Sequence, residues 1–503
     1  MPALSFLDRE HTVAPYGYSR WLIPPAALAV HLCIGQAYAT SVYKESLRVH
    51  FHTSLTAIGV IFSIAIVMLG VSAAIFGTWV DKVGPRKAMF TSACCWTSGF
   101  LVGAVGIASN QLWLVYLGYG FIGGIGLGIG YISPVSTLMK WFPDRPGLAT
   151  GMAIMGFGGG GMVAAPLSRQ LLSFYSDGAK VPPGDAVVKL FITLGVVYFL
   201  VMMLGVFTVR VPHPGWKPLH FDPTKVKTKA MVTKGNVSAK NSIKTPQFWL
   251  LWTVLLCNVT AGIGILEQAA PMIQDFFRDG GASTVTAAAA AGFVGLLSVA
   301  NMSGRFVWSS TSDIVGRKPS YMMYLGGGML LYAGLALFGA SSTAVFVLFC
   351  FLIITFYGGG FATVPSYLRD LFGMYQVGAI HGRLLTAWST AGVLGPLIVN
   401  RILDSQGKPG ELVAANYRPA LFTMVGVLLI GFTANLLIRP VSERWHEKTP
   451  VVDAVDAAHR PATQDEPVEP EDIPIVEEEN LAAVRNRARA SAGRPPQLTD
   501  HQK

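Results

Sequence analysis

The sequence predicts an all-α membrane protein of twelve transmembrane helices in two six-helix bundles. Three observations carry this. Of 503 residues, 52% are apolar and only 13% charged, against about 25% charged in soluble domains. The first 439 residues are mostly apolar runs broken by short charged stretches, each run close to the ~20 residues that cross roughly 30 Å of hydrocarbon. A charged turn also recurs at matched positions in the two halves. Helices are the spanning structure for such runs, because they satisfy their own backbone hydrogen bonds.

The elements follow in order. Residues 1–20 hold Asp8, Arg9, Glu10 and Arg20 and run straight into an apolar stretch, so they read as a cytoplasmic segment and not as a cleaved signal peptide. Spans at about 21–43, 55–80, 87–108, 111–138, 147–173 and 187–210 make an N-terminal bundle, residues 21–210. Residues 211–246 are a polar, lysine-rich central loop. Spans at about 247–274, 284–311, 319–340, 343–368, 378–402 and 417–439 make the second bundle, residues 247–439. Residues 440–503 hold 13 of the 28 acidic residues and read as a disordered cytoplasmic tail that cannot bury a core. Cys33, Cys94, Cys95, Cys257 and Cys350 all fall in apolar runs and read as packing residues, not disulfides or metal ligands.

With both termini cytoplasmic, the cytoplasmic loops hold 16 basic residues and the opposite loops 9, in line with the positive-inside rule. The bases are spread over short loops, so the net charge of +10 does not point to nucleic acid.

The repeat is specific. Asp81, Gly84, Arg86 and Lys87 follow the second span, and Asp313, Gly316, Arg317 and Lys318 follow the eighth. Pro134 lies 53 residues after Asp81, and Pro365 lies 52 after Asp313. A six-span unit has therefore been used twice. The aspartate ends a helix, the glycine allows a tight turn, and the basic pair can meet a neighbouring carboxylate or helix C-terminus. The cluster reads as a latch between helices, against the plainer reading of a charged turn that fixes topology.

This double pattern resembles the major facilitator superfamily over residues 20–440. The run from Gly128 through Pro134, Lys140, Pro143 and Gly147 to Gly151, with Gly156–Gly161 and Pro166, is similar to the oxalate:formate antiporter family, as is the stretch from Ala362 through Pro365 to Gly373. The resemblance implies exchange or proton symport of small carboxylates across a bacterial inner membrane.

An anion crossing a low-dielectric core needs a positive partner. Arg305 lies eight residues before Asp313 in the eighth span, about 12 Å deeper at 1.5 Å per residue. Buried arginine is expensive and marks function by default, although an internal salt bridge or snorkelling is the competing reading. The resemblance implies a substrate-binding arginine in this span. Oxalate carriers of that family add a lysine in the eleventh span, where this chain has Trp388. One buried cation suits a monocarboxylate such as formate, lactate or pyruvate better than oxalate.

Gln36, Tyr38, Tyr43, Tyr131, Tyr357 and Phe361 are further candidates for a pocket wall, each of which could instead be packing. Tyr38 is favoured because the family has an aromatic near that point. Glu267 and His31 are candidates for proton coupling; Glu267 near the outer surface could be merely hydrated, and His31 could be a satisfied interior histidine.

Gly156 to Gly161 fits G-x-G-x-x-G but has no preceding strand, so a nucleotide site fails its context; small residues there let helices approach closely. No phosphate-binding P-loop motif occurs and no convergent catalytic set is visible. The sequence therefore predicts a transporter and not an enzyme, with no cofactor, metal, nucleotide or nucleic acid, and with a small carboxylate and membrane lipid as partners. The rival reading is a ligand-binding membrane sensor signalling through its tail, or a carrier of another small organic solute.

Overall fold

The computed structural model describes residues 2–447 apart from 180, 214–215, 219–230, 234, 280–281 and 408–410. The expected tail beyond 447 and the middle of the expected central loop lie outside the described residues. Eleven described helices are long and apolar enough to cross a membrane. They are α1 (Arg20–Ala39), α2 (Leu55–Val83), α3 (Pro85–Ala108), α4 (Leu112–Trp141), α5 (Pro146–Tyr175), α6 (Gly184–Thr208), α7 (Pro246–Phe276), α8 (Ala287–Val315), α9 (Arg317–Phe338), α10 (Thr343–Phe372) and α12 (Ala414–Leu437). The twelfth, α11, is broken at Leu385 into Val377–Leu384 and Thr386–Gln406.

Local chemistry sets the helix ends. Hydroxyls of Ser54, Thr245, Thr286 and Ser342 accept first-turn backbone N–H groups of α2, α7, α8 and α10, which would otherwise be orphaned. Pro85, Pro146 and Pro246 begin α3, α5 and α7, where a missing N–H is harmless. The repeated glycines of the charged turns, Gly84 and Gly316, stand at φ +85° and +100°, a region closed to most side chains.

Two spans differ from their expected form. The first, expected at 21–43, tightens to a 3₁₀ helix at Gly35–Ala39 and then continues as Ser41–His50. There the α1 and α5 backbones touch: a Cβ on Gly35 would stand 2.6 Å from the Phe157 carbonyl oxygen. The eleventh, expected as one helix at 378–402, is the broken α11.

Within each half, neighbouring helices pack as a bundle: α3 against α6, α2 against α4, α9 against α12 and α8 against α10. Between halves, α2 packs on α11 and α5 packs on α8. In both cases the second helix of one half meets the fifth of the other, which is the repeat expressed in three dimensions. Large apolar side chains such as Ile75, Leu200, Leu204, Leu330, Leu429 and Ile430 are exposed on the outside, a surface suited to lipid tails and not to water.

Candidate functional site

The two halves meet around Arg305 of α8, which is fully buried. Its Nε donates to Asn301 Oδ1 at 2.9 Å, one helical turn back, and Nη1 to the Ile154 carbonyl of α5 at 3.3 Å. Nη2 has no well-aligned hydrogen-bond partner among the described residues; the Tyr38 and Tyr131 hydroxyls lie close enough to interact with the guanidinium, and no carboxylate pairs with it there. The charge lies over aromatic rings, 4.9 Å from the Phe361 centroid and 5.8 Å from that of Phe157. Such cation–π contacts offset about 0.5–2 kcal/mol, less than the several kcal/mol that an unpaired buried charge costs.

Four aromatic residues close the cage. The Trp388 ring lies 4.6 Å from Phe361, 5.3 Å from Phe157 and 5.5 Å from Tyr131. Tyr131 also meets His31 at 5.4 Å and His381 at 5.9 Å. Tyr38 packs on Phe157 at 5.3 Å, and Tyr357 lies 6.2 Å from Phe361. The hydroxyls of Tyr38, Tyr131 and Tyr357, Nε2 of His31 and both ring nitrogens of His381 are buried without a well-aligned hydrogen-bond partner among the described residues; the tyrosine hydroxyls interact loosely with one another and with Arg305. Unpartnered buried polar atoms are uncommon, and here they gather at the junction of the two halves. The site is an aromatic box with one fixed positive charge and a few polar tips, the composition of a small-ligand site.

Other residues singled out in the sequence lie elsewhere. The Gln36 amide donates to Tyr43 Oη at 3.1 Å and accepts from Tyr119 Oη at 2.9 Å. That closed network holds Gln36 and Tyr43 inside the first bundle. Glu267 is exposed near the far end of α7. Sequence reasoning missed Phe157, His381 and Asn301. Phe157 was hidden inside the Gly156–Gly161 run; His381 was legible only as an isolated histidine seven residues before Trp388.

The glycine run has a specific task. A Cβ on Gly158 would stand 2.8 Å from Arg305 Nε, and one on Gly160 would stand 2.5 Å from the Gly35 backbone. Gly158→Ala should therefore displace the guanidinium from Asn301 and weaken ligand binding at least tenfold with the protein still folded, measured by substrate protection in a thermal-shift assay. Gly160→Ala presses backbone on backbone and should lower folded yield instead.

The charged turns lie together at one end of the molecule. Asp313 accepts from the backbone N–H groups of Gly147 and Leu148 at 2.8 and 2.9 Å, in the first turn of α5. Asp81 accepts from the Ala379 N–H at 3.0 Å, in the first turn of α11. Each aspartate thus docks on a helix N-terminus of the opposite half, where the helix dipole favours a carboxylate. Arg317 pairs with Asp313 at 2.6 Å and with Asp370 at 3.0 Å. Arg369 crosses to the Pro143 carbonyl at 3.0 Å. Lys318 donates to the Leu436 and Ile438 carbonyls at 2.7 and 2.9 Å, at the C-terminal end of α12.

The first repeat departs from the expected pairing. Arg86 does not join the cross-bundle contact. Its guanidinium donates to the carbonyls of Phe6 at 2.7 Å, His11 at 3.2 Å and Val209 at 3.4 Å, because the N-terminal segment folds into 3₁₀ turns against the first bundle. Lys87 is exposed. At the opposite end, a cavity of about 500 Å³ opens among Gln268, Asp275, Arg278, Asn400, Asp404 and Tyr417. One end is thus bridged across the halves; the cavity at the other lies within the second half alone.

A membrane protein of two repeated helical bundles, with an enclosed charged site between them and a bridge at one end, has the build of an alternating-access carrier. Residues 26–396 match the Major Facilitator Superfamily, and the chain belongs to that family and is a multi-pass membrane transporter, not an enzyme. It is 23% identical to the oxalate:formate antiporter of Oxalobacter formigenes over 433 residues, covering 84% of this chain and 94% of the relative. It is 24% identical to apicoplast pyruvate carrier 1 of Toxoplasma gondii, covering 58% of this chain and 60% of that one. The fold is shared with the Escherichia coli fucose:proton symporter FucP at a TM-score of 0.60 and 13% identity, over 83% of this chain and 99% of that one.

Proposed function

We propose that this protein carries small monocarboxylates across a bacterial inner membrane by alternating access, with Arg305 as the anion anchor. One observation carries the reading: a fully buried guanidinium, without a carboxylate partner among the described residues and with no well-aligned acceptor at Nη2, faces a cage built from both halves. A carboxylate there would complete its hydrogen bonding and cancel its charge. The relatives named for oxalate:formate exchange and for pyruvate transport support the same substrate class.

Trp388 sets the charge preference. It fills the wall opposite Arg305 with an apolar ring, so the cage offers one full positive charge. A monoanion is neutralised there, whereas a dianion keeps one charge buried at a cost of several kcal/mol. Formate, lactate and pyruvate fit this balance. Tyr38, Tyr131, Tyr357 and Phe361 shape the box and supply hydroxyls.

Residues 21–210 and 247–439 would rock as two bodies around this site. The Asp81 and Asp313 contacts hold shut the end that carries both termini, which the loop charges assign to the cytoplasm.

The test is counterflow in reconstituted vesicles with labelled formate, lactate, pyruvate and oxalate. Monocarboxylates should exchange and oxalate should not. Trp388→Lys should bring oxalate into the exchanged set and weaken lactate and pyruvate by tenfold or more. Absence of counterflow with every carboxylate would leave a carrier of some other solute.

A further inference from the structure

The structure holds a second polar group that the carboxylate reading leaves unused. His31 of α1 and His381 of α11 come from opposite halves and pack on the same Tyr131 ring, at 5.4 and 5.9 Å. Both side chains are buried to within 1% of full enclosure. His31 Nδ1 lies 3.1 Å from the Ala27 carbonyl, which makes Nδ1 the N–H of the neutral ring and leaves Nε2 a lone pair with no well-aligned donor among the described residues; the Tyr131 backbone also interacts with the ring. Neither nitrogen of His381 has a partner among the described residues. A neutral imidazole always presents one donor and one acceptor, so neither capacity of His381 is met by the described residues.

We propose that His31 and His381 form a proton-binding pair that couples carboxylate movement to a proton, making the carrier a proton symporter. The inference rests on the carboxylate reading and extends it to the coupling ion. The charged and titratable groups facing the pair are Tyr131 of α4 and Arg305 of α8, whose charge acts on His31. Nearer the charged turns are Asp81 of α2, bonded to Ala379 two residues before His381, and Arg383 of α11 itself. The two histidines also act on each other electrostatically.

The coupling follows from charge. An anion-free site holds the Arg305 charge, which opposes a second positive charge nearby. A carboxylate on Arg305 cancels that charge, so anion and proton bind better together than apart, reciprocally. The site loaded with both carries the same net charge as the site loaded with neither, so an inward proton gradient raises the loaded fraction on the entry side and drives the anion with it. His381 lies on the short α11 segment whose first turn docks on Asp81. Its protonation state is thereby tied to the contact that closes the cytoplasmic end. Glu267, exposed at the other end, does not have that link.

The experiment uses full-length protein in vesicles containing a trapped pH-sensitive dye, with labelled pyruvate and lactate as probes. Two quantities are compared for wild type, His31→Gln, His381→Gln and His381→Asn: accumulation driven by an inward proton gradient, and counterflow at equal pH. Wild type should accumulate both probes and move protons with them. The histidine variants should show at least a tenfold fall in the ratio of gradient-driven accumulation to counterflow, with loss of the dye signal. Full gradient-driven accumulation in all three variants overturns the inference and leaves the carboxylate reading standing. Parallel loss of both activities in all three also overturns it, because the histidines then serve the anion site or the fold. A wild type without carboxylate counterflow removes the carboxylate reading and this inference with it.

Discussion

Arg305→Ala should reduce carboxylate counterflow at least 100-fold while leaving a folded, monodisperse protein. The guanidinium supplies the cage's fixed charge, and removing one partner of a desolvated ion pair costs about 3–5 kcal/mol. At 1.4 kcal/mol per factor of ten, that is roughly a 100- to 1,000-fold loss of affinity. The fold should not suffer, since the mutation also removes a buried charge that has no carboxylate partner among the described residues. Arg305→Lys should recover little. An ammonium lacks the planar fork that reaches Asn301, Ile154 and a ligand together. Vesicle counterflow with matched protein incorporation measures this, and wild-type flux in Arg305→Ala would refute the anchor.

Asp313→Ala should shift the carrier toward the form open at the charged-turn end by at least tenfold. It deletes two charge-assisted hydrogen bonds to the α5 N-terminus, at 2.8 and 2.9 Å, each worth about 1.5–3 kcal/mol. It also strips Arg317 of one of its two carboxylates. Asp81→Ala should act in the same direction but less, because Asp81 has one such bond to the α11 first turn. Spin labels on the α2–α3 and α10–α11 turns should report a longer distance population in both variants, larger for Asp313→Ala. An unchanged distance distribution in Asp313→Ala would reduce the cluster to a topology signal. Gly84 and Gly316 complete the motif by turning the chain at positive φ, which keeps each aspartate at the very end of its helix.

Reading the chain alone reached the spans, the two-fold repeat and the pivotal position of Arg305, because each is local. A span is a run of apolar residues set against a fixed hydrocarbon thickness. The depth of Arg305 follows from counting residues along one helix. Gln36 shows where such counting ends. It sits in the right span at a plausible depth, yet faces Tyr43 and Tyr119 inside one bundle. The face a helix presents depends on what packs around it, and α1 has no strong amphipathic pattern to declare one. Phe157 and His381 were overlooked for the converse reason: nothing in their neighbourhoods marks them, and only the crossing of α4, α5, α10 and α11 brings them to Tyr131 and Trp388.

The sequence by itself determined that this is a twelve-helix membrane carrier with a repeated half and a charged residue deep in the eighth helix, since length, apolarity and motif spacing are properties of contiguous residues. Tertiary structure alone decided which groups meet. It placed Asp81 and Asp313 on helix N-termini of the opposite half, took Arg86 away to the N-terminal segment, put Gly158 against Arg305 and set two histidines around one tyrosine. Those contacts join residues separated by 75 to 298 positions, and their geometry is fixed by helix packing, which no local stretch of chain encodes.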